Sequence, residues 1–418
     1  ERHNTEYFTP NDERQTESLD IVHHYLTLLL DGKLYLAPLG NDLQKVLDVG
    51  SGDGIWAIDY ADENPNTEVI GTDLSPMQEL TVHEKKRESS TASISSSILE
   101  YRTINGRTFH SERHNTEYFT PNDERQTESL DIVHHYLTLL LDGKLYLAPL
   151  GNDLQKVLDV GSGDGIWAID YADENPNTEV IGTDLSPMQP KWVPPNVKFE
   201  LDDATQPWTW PDNEFDFVHM RFLNGAIRDW PALFREAFRC CKPGGYIESG
   251  EFDPRYYCDD GTADDNETIK TWNRVFEEGE KRLGNSFTVI EGDTQDAGIR
   301  DAGFEDVNVK VYKVTSSPSP CICLHVSGKT DSGADFHRKA PVGPWTADKK
   351  LAKIGRFTQL TLENDMEGYT LFLCTRILNW SNEEYHVFLA KMRKVLRSTR
   401  NIHIYCKYKY VYGRKPLA

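Results

Sequence analysis

The segment Val157-Leu158-Asp159-Val160-Gly161-Ser162-Gly163-Asp164-Gly165, with Asp184 nineteen positions further on, constrains the fold of this chain more than any other. A short apolar run, an acid and three glycines spaced G-x-G-x-G predict a buried strand that turns sharply into a helix. Glycine, lacking Cβ, lets the backbone turn tightly and approach a ligand. A second strand through Glu179, Val180, Ile181, Gly182 and Thr183 ends on Asp184, whose carboxylate can accept hydrogen bonds from both hydroxyls of a ribose. The pattern is that of a nucleoside site in a doubly wound α/β sheet. Asp159 selects among nucleosides. A dinucleotide would bring an anionic pyrophosphate against this carboxylate, whereas S-adenosylmethionine (SAM) brings an ammonium and a sulfonium. Ile166, standing where a dinucleotide fingerprint needs its third glycine, also argues against a nicotinamide oxidoreductase.

Residues 1–78 recur without change as residues 112–189. Asp48, Gly50, Ser51, Gly52, Gly54 and Asp73 therefore mirror Asp159, Gly161, Ser162, Gly163, Gly165 and Asp184. The repeated unit holds two strands, too few to bury both faces of an open sheet. Only the second copy runs on into a further strand, Val197–Leu201. Using the first would loop out residues 79–189 at a closure cost of about 4 kcal/mol. The expected organisation is a partial duplicate at 1–78, a linker at 79–97, and one complete domain over 98–416.

A formal net charge of −22 opposes a direct grip on nucleic acid. Lys391, Arg393, Lys394, Arg397 and Arg400 form the main basic cluster, at spacings that read as the solvated face of a helix. The seven cysteines show neither CxxC nor zinc spacing and read as free thiols, so no metal is expected. With no signal peptide or membrane span in evidence, the expected location is intracellular, cytoplasmic or nuclear.

Hydrophobic periodicity predicts a helix over Asp123–Leu141, strands at Lys156–Val160, Val197–Leu201 and Phe215–Met220, and a helix over Ala232–Cys241. That helix is expected to stop at Lys242-Pro243-Gly244-Gly245, before a strand at Tyr246–Ser249. Further on, the pattern gives a helix at Glu267–Leu283, a strand at Val307–Val314, an irregular insert at 315–340, three helices (Lys349–Leu362, Gly368–Leu378 and Asn382–Leu396) and a closing strand at Ile402–Tyr412.

These features, with Gly106-Arg107-Thr108-Phe109-His110, Tyr118-Phe119-Thr120-Pro121-Asn122-Asp123-Glu124, Phe215 to Arg221, Lys242 to Glu248 and Val411 to Pro416, resemble the class I SAM-dependent methyltransferases. Within them the chain is similar to the fungal LaeA-like group, named for a regulator of secondary metabolism. The resemblance covers about residues 93–314 and 341–416. It implies a seven-stranded sheet whose last strand is antiparallel, with SAM as cofactor. Gly161, Gly163 and Gly165 would underlie its methionine part, beside Asp159 and Ser162. Asp184 would hold the ribose next to Leu185, and Asp203-Ala204 would meet the adenine edge. The insert at 315–340 departs from the family pattern.

In-line methyl transfer needs positioning more than a dedicated base, so the acceptor is less legible than the cofactor. His219 is the candidate base, at the strand end that faces the transferred methyl in this fold. Arg221 reads as a partner for an acidic acceptor or, more simply, for Glu248 or Glu251. Tyr118 and Phe109 are candidates to cover the sulfonium, and Trp208 and Trp210 to wall the pocket. The acceptor is expected to be a small molecule or a protein. Neither an Asn-Pro-Pro-Tyr nor a Pro-Cys motif follows Phe215–Met220, which disfavours methylation of nucleic-acid bases. The alternative implied by the resemblance is a SAM-binding regulator acting through protein partners with little or no catalysis.

Overall fold

In the computed structural model of the protein, the described residues are 101–110, 118–190, 193–291, 293–312 and 340–417, with scattered positions between 27 and 72. The chain divides into two units, Glu1–Ala92 and Ser93–Ala418.

In the first unit, β1 (Lys45–Val49) pairs in parallel with β2 (Glu68–Thr72). The Trp56 indole donates to the Leu34 carbonyl at 2.8 Å, and its ring stacks on Tyr60 with centroids 5.2 Å apart. The first copy's glycine loop and Asp73 lie outside the described residues.

The second unit opens with a hairpin, β3 (Arg102–Ile104) and β4 (Arg107–Phe109), followed by α1 (Glu124–Leu140), capped by the Asp123 carboxylate. Then come β5 (Lys156–Val160), α2 (Ile166–Glu174), β6 (Glu179–Asp184), β7 (Val197–Leu201) and β8 (Phe215–Arg221). They are followed by α3 (Trp230–Cys240), β9 (Cys241–Phe252), α4 (Glu267–Leu283), α5 (Thr294–Asp301) and β10 (Glu305–Tyr312). The rest comprises β11 (Ala340–Pro341), α6 (Lys349–Phe372) with a π-helical turn to Ile377, α7 (Asn382–Leu396), β12 (Tyr405–Cys406) and β13 (Tyr408–Arg414). Seven strands form one sheet in the order β10-β13-β9-β8-β5-β6-β7, with β13 antiparallel to both neighbours. Its middle strands are apolar almost throughout because helices cover both faces.

Two of the expected boundaries, the stop at 242–245 and the closing strand, differ in the structure. Lys242-Pro243-Gly244-Gly245 is not a gap between helix and strand: β9 begins at Cys241 and runs twelve residues. The Gly244 amide donates to the Lys415 carbonyl, and the Lys415 amide donates to Gly245, so the tail after β13 pairs this segment. The two helices expected at 349–378 are both present, as the two arms of α6, which meet at a kink at Asp365, where φ is −135° and ψ is 50°. The closing strand is split into β12 and β13 and extends to Arg414. Most of the 315–340 insert falls outside the described residues; Ala340 pairs with Cys406.

The bend at Asp365 has a cause 258 positions away. Arg107 Nη1 and Nη2 donate to the two Asp365 carboxylate oxygens at 2.6 and 2.8 Å, while Nε and Nη2 hold Asp123 at 2.5 and 2.6 Å. Asp365 also accepts from the Gly368 amide at 2.9 Å. One guanidinium thus joins the β3–β4 hairpin, the cap of α1 and the bend of α6. Asp365 is fully buried, and Arg107→Met would remove both of its guanidinium hydrogen bonds and leave it only the more distant Arg125 Nε at 3.6 Å as a cationic partner. We expect a loss of about 3–5 kcal/mol in urea-induced unfolding of the second unit.

The duplication supplies an internal comparison. In the second copy, Trp167 again donates to Leu145 at 2.9 Å and stacks on Tyr171 at 5.1 Å. The β5–β6 register repeats that of β1–β2. Environment separates the copies: Leu158 is 1% exposed, with β8 on the far side of its strand, whereas Leu47 is 60% exposed. We expect Leu158→Ala to cost about 2–5 kcal/mol on denaturant unfolding and Leu47→Ala to change stability by no more than about 0.5 kcal/mol.

Candidate active site

The cleft lies at the C-terminal ends of β5, β6, β7 and β8, where loops of a doubly wound sheet converge. It measures about 1120 Å³ including its open mouth. At Gly163 the backbone is left-handed (φ 59°), which directs its amide to Asp184 Oδ2 at 2.9 Å. Asp184 Oδ1 accepts from the Ser186 amide at 3.0 Å. Burial raises the Asp184 pKa to about 6 although backbone amides from Ser186, Gly163 and Leu185 pull it down. At the β7 end, Asp203 Oδ1 is braced by the Thr205 amide and hydroxyl at 2.9 and 2.7 Å.

Asp159 ends β5 almost fully buried, with Oδ1 2.7 Å from His219 Nδ1. The imidazole lies flat on the Trp167 indole, centroids 3.6 Å apart and planes 6° from parallel. Burial lowers the His219 pKa, so the neutral ring donates from Nδ1. Its Nε2 is buried without a hydrogen-bond partner. His219 does not line the cleft. It stands beneath Asp159 and orients that carboxylate, a placement that removes it from the reach of an acceptor.

Of the residues expected to meet the cofactor, Tyr118, Asp159, Gly161, Ser162, Gly163, Asp184, Leu185, Asp203 and Ala204 all line this cleft. Gly165 does not. It is left-handed (φ 84°) at the start of α2, and a Cβ there would sit 2.3 Å from the Phe199 ring, so its role is close packing beneath the loop. Phe109 packs on Phe372 at 5.9 Å. Trp208 and Trp210 belong to the core beside α3, because Trp208 is tied to Glu236 and Trp210 turns its face to Phe215.

Arg221 lines the cleft and reaches neither Glu248 nor Glu251. Those acids take backbone amides: Leu147 and Ala148 for Glu248, Leu223 and Asn224 for Glu251. Arg221 Nη2 lies 3.3 Å from His134 Nδ1, and His134 Nε2 lies 2.9 Å from Asp170. Burial lowers the His134 pKa. With Nε2 protonated to donate to Asp170, Nδ1 is left to accept from Arg221.

The expectation omitted several lining residues, among them Asn122, Gln126, Asp164, Phe222 and Leu223. Asp164 stands inside the glycine loop and was recoverable from sequence. Its carboxyl is pushed up to about 8 by burial and by the neighbouring Asp131 charge. Phe222 carried no local signal.

The lining has a definite polarity. Five aspartates (159, 164, 184, 202 and 203) face the cleft, and Arg221 is the one arginine or lysine among the described lining residues. Ser162 Oγ and Asn122 Oδ1 are buried there without hydrogen-bond partners, a cost a polar ligand would relieve. These features fit a nucleoside bearing cationic groups and one carboxylate, as SAM does.

The family described as a methyltransferase domain matches residues 132–307. Methyltransferase pytC of Aspergillus terreus is 30% identical over 331 residues, covering 79% of this chain and 92% of that protein. Secondary metabolism regulator LAE1 of Cochliobolus heterostrophus is 31% identical, covering 75% and 94% respectively. Protein-methionine methyltransferase laeA of Emericella nidulans is 27% identical, covering 76% and 77%. This chain belongs to the class I SAM-dependent methyltransferases, in the fungal LaeA-like group.

Proposed function

We propose that the second copy of the repeated segment binds SAM in the aspartate-lined cleft and that the protein transfers its methyl group to a small-molecule acceptor. The observation that carries this reading is the charge of the lining: Asp159, Asp184, Asp202 and Asp203 beside a glycine loop repel a pyrophosphate and attract a sulfonium and an ammonium, while Asp164, pushed up to about 8, adds little charge near neutral pH. Bound SAM supplies an electrophilic methyl that a nucleophile takes by in-line displacement. The protein's share is to bind, orient and exclude water. Asp184 would accept from the ribose hydroxyls, Asp203 and Ala204 would meet the adenine edge, and Asp159, steadied by His219, would take the ammonium. Arg221 would hold the carboxylate, with Tyr118 and Leu185 completing the walls.

Asp184 gives this reading a pH signature. Below a pKa of about 6 the free protein carries it protonated, with less capacity to accept from a diol. Affinity for S-adenosylhomocysteine, measured by calorimetry, should therefore rise from about pH 5 to about pH 7 and then level through this group. Asp184→Asn should bind about tenfold more weakly near neutrality and lose that rise. Absence of binding to the unsubstituted protein would overturn the proposed function.

Arg221 is tested by subtraction. 5′-Methylthioadenosine lacks the amino-acid end of the cofactor, so Arg221→Met should weaken S-adenosylhomocysteine about tenfold or more while leaving methylthioadenosine within about twofold. Equal weakening of both would place Arg221 elsewhere in the site.

A further inference from the structure

Beyond the cofactor cleft, on the side opposite the adenine end, lies a second cavity of about 440 Å³ including its open mouth. It opens behind Phe222, which lines both spaces. Resting on the methyltransferase reading, we propose that this chamber is the acceptor subsite and that its ligand is a small planar, mostly apolar molecule with a polar group at each end.

The position follows from the order of the sheet. Asp203 follows β7, Asp184 ends β6, Asp159 lies near the end of β5 with the glycine loop after it, and Phe222 follows β8. Adenine, ribose and sulfonium would thus run along the strand ends toward Phe222, and the chamber continues that line under β9, α4 and α6. Phe222 is held in the left-handed region (φ 60°), an uncommon conformation for an aromatic residue. Its amide donates to the Gly250 carbonyl at 3.0 Å, and the next two amides are taken by Glu251. The ring is thereby fixed between the spaces, 4.6 Å from Phe252.

The chamber walls select the ligand. Trp272 stacks with Tyr256 at 5.0 Å and packs on Phe276 at 5.5 Å, while Phe252 stacks on Tyr408 at 6.0 Å. Flat aromatic faces favour a flat ring system, and no lining side chain of the chamber carries a full charge. The lining hydroxyls are not equivalent. Tyr136 and Tyr408 bond each other at 3.0 Å, and Tyr369 meets Ser129 at 3.3 Å. The Tyr256 hydroxyl is buried with no partner, in a residue only 4% exposed. A buried phenol without a partner is costly, and a polar atom on the distal end of the ligand satisfies it. The ligand's other polar group, a hydroxyl, then faces the cleft. As its oxygen bonds to the methyl carbon, the carbon–sulfur bond breaks, sulfur keeps the electron pair, and the hydroxyl proton passes to water.

The test titrates 2,6-dihydroxynaphthalene into the full chain saturated with S-adenosylhomocysteine, using calorimetry. One-to-one binding is expected. Tyr256→Phe should weaken it five- to tenfold, and Leu362→Trp, which fills the chamber, should abolish it. Both variants should bind S-adenosylhomocysteine within about twofold of the unsubstituted protein, a readout that also reports folding. Probe binding indifferent to Tyr256→Phe, or no probe binding to a protein that does bind S-adenosylhomocysteine, overturns the chamber and leaves the cleft to a protein acceptor. Failure to bind S-adenosylhomocysteine at all removes the reading beneath it as well.

Discussion

Buried carboxylates that each take two loop amides hold the working edge of this sheet together. Strand ends in a parallel sheet leave amides unpaired, and burying them without partners is costly. Here Glu248 accepts from Leu147 and Ala148 at 2.8 and 2.7 Å, Glu251 from Leu223 and Asn224 at 3.1 and 3.0 Å, and Asp184 from Gly163 and Ser186. Glu251 reaches the loop after the neighbouring β8, Asp184 reaches the loop after the neighbouring β5, and Glu248 reaches past β8 to the segment that leads into β5. Burial pushes Glu248 up to about 7 and Glu251 up to about 8, against the pull of those amides. The Glu251 contacts fix the chain just after Phe222, the Asp184 contact fixes the glycine loop, and the Glu248 contacts fix the entry to β5.

The two sides of the site use different chemistry. The cleft is built from charge: acids from three strand ends or their loops, one guanidinium, and histidines kept neutral by burial so that they orient without adding charge. The chamber side is built from aromatic faces and phenols, whose pKa values burial raises, so that they stay neutral hydrogen-bonding groups. Phe222 lies where the two meet.

The sheet and the glycine loop were legible in sequence because their signals are local: an apolar run, an acid, closely spaced glycines and a second acid one strand later. Asp203 and Ala204, which the family resemblance singled out, also line the cleft. What stayed hidden depends on distant partners. The break between the two arms of α6 was expected, but nothing near Arg107 announces Asp365 as its partner 258 positions away. Gly165 looked like a ligand glycine because the pattern cannot distinguish approach by a cofactor from approach by the Phe199 ring. Lys242-Pro243-Gly244-Gly245 carries every local mark of a break and is overridden by pairing with Lys415. His219 was correctly placed on its strand, but its depth beneath Asp159 and against Trp167 is a tertiary fact.

The repeated segment also bears on the time course of synthesis. At roughly 5–20 residues per second, a ribosome completes the first copy several seconds before the second. That lead gives β1 and β2 time to pair. It does not give them β8 or β9, which emerge only after both copies are made, so Leu47 has no late-strand surface on which to bury itself. When those strands arrive, the second copy is the nearer by 111 residues of chain. Being translated first therefore confers no advantage in entering the sheet; proximity to the later strands does.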